Sequence, residues 1–287
     1  MDPNQPFNLM AGAHHAALSH LLRDYPVRRL IDAGVCRDRR AKAASHTNPL
    51  LRHGEKYFSQ NDEDGILLEI LRRAGLAGGA FMEFGVGNGL ENNTLILLMS
   101  GWRGAWAGGE ELAFAIPPGT RNLDYSRVWI ARENAWHLWS EAALRLGLPQ
   151  FDLLSIDLDG NDLYILRELL DRGARPSLVV VEYNGKFPPP IEFCIDYDPA
   201  HRFDDTDWCG ASLQSFVSLL DGHGFALVAC NVTGLNAFFV DRSLLRAFDD
   251  VPRAIADLFV PADYAAVTGI GHPPSPRTVA SFLRAAL

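Results

Sequence analysis

The sequence predicts an α/β fold: a parallel sheet with helices on both faces, ended by an antiparallel hairpin. Three observations predict it. After residue 75, short apolar runs alternate with helix-length stretches, the pattern of parallel strands joined by helical crossovers. One of those runs leads straight into a glycine-rich turn, "EFGVGNG", as strands that open onto a ligand site do. Late in the chain, "FALVACNV" and "NAFFVDR" are separated only by a short stretch containing "TGL", so they pair antiparallel.

In chain order, residues 7–24 read as a helix, with Leu9, Ala13, Ala16, Ala17, Leu21 and Leu22 spaced near the helical period. The next stretch, "RDYPVRRLIDAGVCRDRRAKAASHTNP", has no clear period and reads as a connector with short helical pieces. "SQNDEDGILLEILRRAG" reads as a helix over 59–74, capped by Ser59 or Asn61, with acids in its first turn, arginines in its last and Gly75 as its stop. Then follow a strand in "GAFMEFG", a helix in "ENNTLILLMSGW", strands in "GAWAGGE" and "SRVWIAREN", and a helix in "AWHLWSEAALRLG". A strand in "FDLLSIDLDG", a helix in "NDLYILRELLDRG" and a strand in "PSLVVVEYN" complete the alternation. An irregular stretch leads to a helix over 211–224 and the hairpin, and 243–287 reads as helical with a break at "GIGHPPSP".

This organisation divides the chain into an N-terminal helical segment (1–55), a ligand-binding domain (56–242) and a C-terminal helical extension packed on that domain (243–287). The net charge of −9 makes the chain a poor general binder of nucleic acid or anionic membrane, and neither is expected as a partner. The charge is uneven: nine Lys or Arg fall within residues 1–60. That segment suits a lid, a dimer arm or a docking element, or a plain solvated linker, and a homodimer stays open. The four cysteines form no C-x-x-C pair, the start of the chain has no signal-peptide pattern, and no apolar run approaches the roughly 20 residues of a membrane span. Together these predict a cytoplasmic protein.

The glycine loop fails the dinucleotide pattern G-x-G-x-x-G, because the third position from Gly85 is Leu90. What stands there is E-x-G-x-G-x-G, with Glu83 just ahead of the glycines. A carboxylate repels a pyrophosphate and suits a cationic amino group. Glu110 and Glu111 end the next strand, where a carboxylate accepts ribose hydroxyls. An ammonium acceptor, a close backbone and a ribose clamp without a phosphate cradle fit S-adenosylmethionine.

In order, "EFGVGNG", "WAGGEE", "FDLLSIDLDGND" and "VVVEYN" resemble the motifs of class I S-adenosylmethionine-dependent methyltransferases, whose Rossmann-like sheet ends in an antiparallel hairpin. "YFSQNDEDGILLEIL" and "SIDLDGND" resemble more closely the FkbM-like group, over about residues 56–242. The resemblance implies methyl transfer to a small-molecule or glycan acceptor, with O-methylation favoured. It implies that Gln60, Glu83, Phe84, Gly85, Val86, Gly87, Glu110, Ala131, Arg132 and Asp157 bind the cofactor. Glu83 would meet the amino group, Glu110 the ribose, Ala131 and Arg132 the adenine, and Asp157 the sulfonium side. The alternative is a non-catalytic binding or assembly module on the same fold.

The acidic strand end "SIDLDGNDLY" admits three readings. An EF-hand-like calcium loop fails because its glycine position is Asp162 and an apolar helix face runs through the loop. A Mg²⁺ site is implied by a weaker resemblance of "LDGNDLY" to macrocin-type sugar O-methyltransferases, with Asp157, Asp159 and Glu182 as ligands. In the third reading Asp159 or Asn161 caps the following helix and only Asp157 touches the cofactor. An alcohol acceptor also needs a base, for which Asp157, Asp159, Glu182, His137, His201 and His272 are candidates. The irregular 186–212, rich in aromatics and aspartates, suits a polyhydroxylated or cationic acceptor.

Overall fold

The computed structural model describes residues 25–204, 206–263 and 276–285; the expected helix over 7–24 and His272 lie outside them. Seven strands form one sheet: β1 (Ala80–Phe84), β2 (Arg103–Gly108), β3 (Leu123–Arg127), β4 (Leu153–Ile156), β5 (Leu178–Glu182), β6 (Phe225–Cys230) and β7 (Asn236–Asp241). Their order is β3-β2-β1-β4-β5-β7-β6. The first five are parallel, and β7 runs antiparallel to both β5 and β6. This is the Rossmann-like sheet that the sequence predicts. The later strand of the hairpin, not the earlier, lies against β5. β1, β2, β4 and β5 are almost wholly buried, as strands covered by helices on both faces must be.

The helices are α1 (Tyr25–Ser45), α2 (Glu63–Ala74), α3 (Leu95–Met99), α4 (Arg132–Leu146), α5 (Asp162–Asp171), α6 (Leu213–Gly222), α7 (Ile255–Leu258) and α8 (Pro276–Ala285). No helix among the described residues is long and apolar enough to cross a membrane.

Four expectations need correction. The connector after residue 24 is a single 21-residue helix, α1. Its Arg, Lys and Ala residues favour helix, and Val27, Leu30, Ile31 and Val35 do stand at helical spacing, a short apolar set that the many surrounding charges obscured. α2 begins at Glu63, four residues later than expected, and neither Ser59 nor Asn61 caps it. α3 has only five residues, because the preceding Asn92, Asn93 and Thr94 wrap a buried carboxylate instead. β3 is Leu123–Arg127, not "SRVWIAREN". It is an edge strand with a half-exposed face, so its polar "DYSR" gave no apolar signal.

Leu50 and Leu51 of a short 3₁₀ helix (Pro49–His53) are fully buried in the main core. Asn48 fixes this turn twice. Its Oδ1 accepts the Leu50 N–H at 3.0 Å, and its Nδ2 donates to the Val228 carbonyl at 2.8 Å. Val228 is the extra residue of an irregularity in the β6–β7 ladder, so its carbonyl is free to accept.

Candidate functional site

From β1 the chain winds outward through β2 to β3, then returns to start β4 on the other side of β1. The crossovers leave in opposite directions there, and the crevice at the carboxyl ends of β1 and β4 is where open α/β sheets bind ligands. A cavity of about 790 Å³ lies there. Its wall includes Gln60, Glu83, Gly85, Val86, Gly87, Glu110, Asp157 and Asp159, all anticipated from the sequence. Phe84, Ala131, Arg132 and Glu182 do not line it.

The glycine loop follows β1. Gly85 has φ 92°, and a Cβ there would sit 1.6 Å from the Asp157 carbonyl oxygen. The β1 and β4 ends can therefore approach this closely only through a glycine. Gly87 has φ 50° with open space around any added Cβ, so its backbone faces the cavity bare. Val86 is buried, whereas Phe84 points wholly into the core.

Glu83 plays a different part from the one expected. Its Oε1 accepts from the Asn93 N–H (2.9 Å) and Ser155 Oγ (3.2 Å). Its Oε2 accepts from Asn92 Nδ2, Thr94 N–H and Thr94 Oγ1. Five donors saturate a carboxylate that has about four lone-pair sites. Burial still pushes its pKa up. Glu83 thus clamps the 92–94 turn beneath the cavity and has no lone pair left for a ligand ammonium.

The end of β4 carries the acidic cluster. Asp157, Asp159 and Glu182 each bring one carboxylate oxygen within 4.8 Å of the others. Glu182, at the end of β5, lies behind Asp157 and shares a hydrogen bond with it. Burial and their mutual repulsion raise both pKa values well above the usual range, so the two titrate as a pair around one proton. Asp159 has φ 56°, an unusual value for a residue other than glycine, and its side chain is exposed. Although the side chain reaches solvent, the surrounding loop partly desolvates its carboxyl and raises its pKa, and His201 opposes that shift. Neither Asp159 nor Asn161 caps α5. Asp162 instead accepts the Leu158 and Gly160 N–H groups, folding the acidic loop back on itself.

The outer wall comes from the irregular segment after β5. Asn161 Nδ2 donates to the Asp198 carbonyl, Tyr164 Oη to Ile195, and Trp129 Nε1 to Pro199. Arg202 lies over the Trp129 ring at 4.5 Å. These contacts place His201, Arg202 and Phe203 on the cavity. The wall expected at Ala131 and Arg132 is built from other residues. Trp129 and Ile130, which follow β3, line the cavity, while Arg132 stacks on Tyr197 at 4.4 Å. His137 is exposed on α4 and does not line the cavity.

No protein-family model matches the chain, and no curated protein matches it. Among solved structures, a coclaurine N-methyltransferase bound to N-methylheliamine and SAH is similar at 12% identity and a TM-score of 0.33, over 78% of this chain and 72% of that one. A structure concerned with converting a disulfide bond into a thioacetal group during echinomycin biosynthesis is similar at 14% identity and a TM-score of 0.30, over 61% of this chain and 80% of that one. Likeness at this level carries nothing about chemistry, which rests on the residues of the site.

Those residues have unmet needs. Asn92 Oδ1, Asn161 Oδ1, Asn236 Oδ1 and His201 Nε2 are buried without a hydrogen-bond partner, and all four residues line the cavity. Buried polar atoms nearly always have partners. With these rotamers the three amide oxygens call for donors. Acids around them (Glu83, Glu91, Glu110, Asp157, Asp159) far outnumber the single cation, Arg202. The cavity therefore suits a ligand rich in ammonium and hydroxyl groups and repels phosphates. Asn236 could not be found from the sequence, because it reaches the site only when β7 lies beside β5, opposite Glu182.

Proposed function

We propose that the chain is a class I, FkbM-like methyltransferase that uses S-adenosylmethionine and transfers a methyl group to a hydroxyl of a small-molecule or glycan acceptor. The observation that carries this reading is the set of four unpartnered polar atoms in an acidic cavity at the β1–β4 switch point. A dinucleotide would bring phosphates against five carboxylates, and Leu90 denies it the third glycine.

The residues fit the cofactor in parts. The bare backbone at Gly87 accommodates its amino-acid end, with the Asn92 Oδ1 acceptor beside the saturated Glu83. The exposed carboxylate of Glu110 suits the ribose hydroxyls. Trp129 and Ile130 supply an apolar wall for the base. When bound, the cofactor supplies an electrophilic methyl group. The chain's own residues supply the rest: position, exclusion of water and a proton acceptor. His201 Nε2 is a buried, unpartnered nitrogen on the cavity wall, with Asp159 nearby, and we assign it the task of taking the hydroxyl proton. Asp157, backed by Glu182, holds negative charge beside it.

A second reading of the acidic cluster is favoured by the convergence of Asp157, Asp159 and Glu182. Three hard oxygen donors suit Mg²⁺, which would bind vicinal hydroxyls of the acceptor and lower the pKa of one. An assembly module that binds the cofactor without turnover is the rival at the level of function.

Calorimetric titration with S-adenosylhomocysteine, with Mg²⁺ and again with EDTA, tests the central claim. Binding without any response to NADH supports it, and no binding in either condition sinks it. Tighter binding in Mg²⁺ favours the metal reading. Methyl transfer to polyhydroxylated acceptors would exclude the assembly module. His201→Gln should retain cofactor affinity and lose about 10²–10⁴-fold in turnover, the usual range for a general base.

A further inference from the structure

A second cavity, of about 440 Å³, lies between α1, the 3₁₀ helix and the segment leading to α2. This is within the range of about 300 to 1,000 Å³ that small-molecule sites occupy. Its character is opposite to that of the first. Arg40 from α1, Arg52 from the 3₁₀ helix and Lys56 from the following loop all line it. They come from three separate pieces of backbone in a chain of net charge −9, so an even scattering of charge does not explain their convergence.

The cations on the wall, Arg39, Arg40, Arg52 and Lys56, outnumber its acids, Glu55 and Asp62. Asp62 lines the cavity but is committed elsewhere. Its carboxylate accepts the Val232 and Thr233 N–H groups, and Arg39 acts on it as a nearby opposite charge. Glu55 is the other acid on the wall. Arg40 and Arg52 have no ion-pair partner among the described residues, and both are exposed. Lys56 spends one of its three ammonium donors on the Gln60 carbonyl at 2.7 Å and keeps two. Two guanidinium forks and one ammonium on a concave wall are the donors that a phosphate group's several oxygens need.

We propose that this cavity binds a phosphate-bearing small molecule through Arg40, Arg52 and Lys56. The inference goes beyond the methyltransferase reading and stands independently of it, since the two cavities share no lining residue. The cavities are nevertheless neighbours in sequence. The Lys56–Gln60 bond joins a donor of the second to a residue of the first.

Inorganic pyrophosphate is the probe, titrated calorimetrically into the full chain at low and high salt. One binding event is expected, weaker at high salt because the contacts are charged. Arg40→Ala and Arg52→Ala should each weaken it about tenfold, the loss of one charge-assisted contact. Arg172→Ala, at an exposed position just after α5, should leave it unchanged. Arg52→Lys keeps the charge and should recover part of the affinity. Circular dichroism of the variants should match that of the parent, since both arginines are exposed. No binding at low salt overturns the proposal, as does an equal loss in Arg172→Ala. Binding to phosphatidylglycerol vesicles that requires Arg40 and Arg52, without pyrophosphate binding, also overturns it and assigns the face to a membrane surface.

Discussion

Gly85 and Gly87 stand two residues apart in one loop, yet their side-chain-free backbones serve different ends. At Gly85 an added methyl would overlap the Asp157 carbonyl at 1.6 Å, and φ is 92°. At Gly87 φ is 50° and the space is open. Gly85→Ala must push the ends of β1 and β4 apart as well as strain its own backbone, so it should cost about 3 kcal/mol or more. Gly87→Ala pays only the left-handed backbone cost, about 1–2 kcal/mol, and should fold. Urea unfolding of the two variants checks the contrast, and equal losses would refute it. The pair also marks what the sequence can say at this scale. The glycine spacing, Glu110 and the acidic strand end were legible, because their residue types are rare in that pattern. The saturation of Glu83 was not, since its donors Asn92, Asn93 and Thr94 look like the start of a helix. His201 was one histidine among several until its unpartnered Nε2 lay on the cavity.

Among the elements, legibility followed apolar content. Strands buried on both faces, such as "FMEF" and "LVVVE", announced themselves. β3 did not, and the apolar "VWI" beside it drew the prediction three residues too far. Trp129 is apolar but nearly half exposed, because it faces the cavity and not the core. α1 was read as irregular for the converse reason: its few apolar residues at helical spacing, Val27, Leu30, Ile31 and Val35, stand among many charges. The segment that follows α1 is tied down by polar contacts that periodicity cannot register. Asn48 caps the 3₁₀ helix and satisfies the Val228 carbonyl of β6, 180 residues away in the chain. Asn48→Ala removes a cap and leaves a buried carbonyl unpaired, for a combined loss of about 2–3 kcal/mol. Chemical denaturation should show a lower midpoint with an unchanged slope. A midpoint within error of the parent would mean that the N-terminal segment does not rest on this contact.

For the whole molecule, the sheet order could be anticipated as far as five parallel strands and a hairpin, but not which hairpin strand would meet β5. That choice brings the β6–β7 turn down onto the start of α2, where Asp62 and Glu63 meet Asn231, Val232, Thr233 and Asn236. The result is an interior holding several acids. Burial raises Asp62, Asp64 and Asp162 to about 6 from 3.8, although backbone N–H groups bound to each act against the shift. In the unfolded chain they release their protons near 3.8, so between that value and about pH 6 the folded state binds more protons. Stability must then fall as pH rises through this window and level off above it. Glu69 has the opposite sign. Hydrogen bonds from Arg72 and Arg73 hold it near 2 instead of 4.5, so its contribution is complete above 4.5 and is lost as pH falls toward 2. Three raised acids outweigh one lowered one, so the two effects together set a stability maximum at about pH 3.5 to 4, below the neutral range usual for globular proteins. Thermal melts should therefore give a higher Tm at pH 5 than at pH 7, and Asp62→Asn, which removes one of the three raised acids, should reduce the difference. A Tm at pH 7 equal to or above that at pH 5 would mean that the buried acids are ionised in the folded chain and that their backbone hydrogen bonds outweigh the cost of burying the charge.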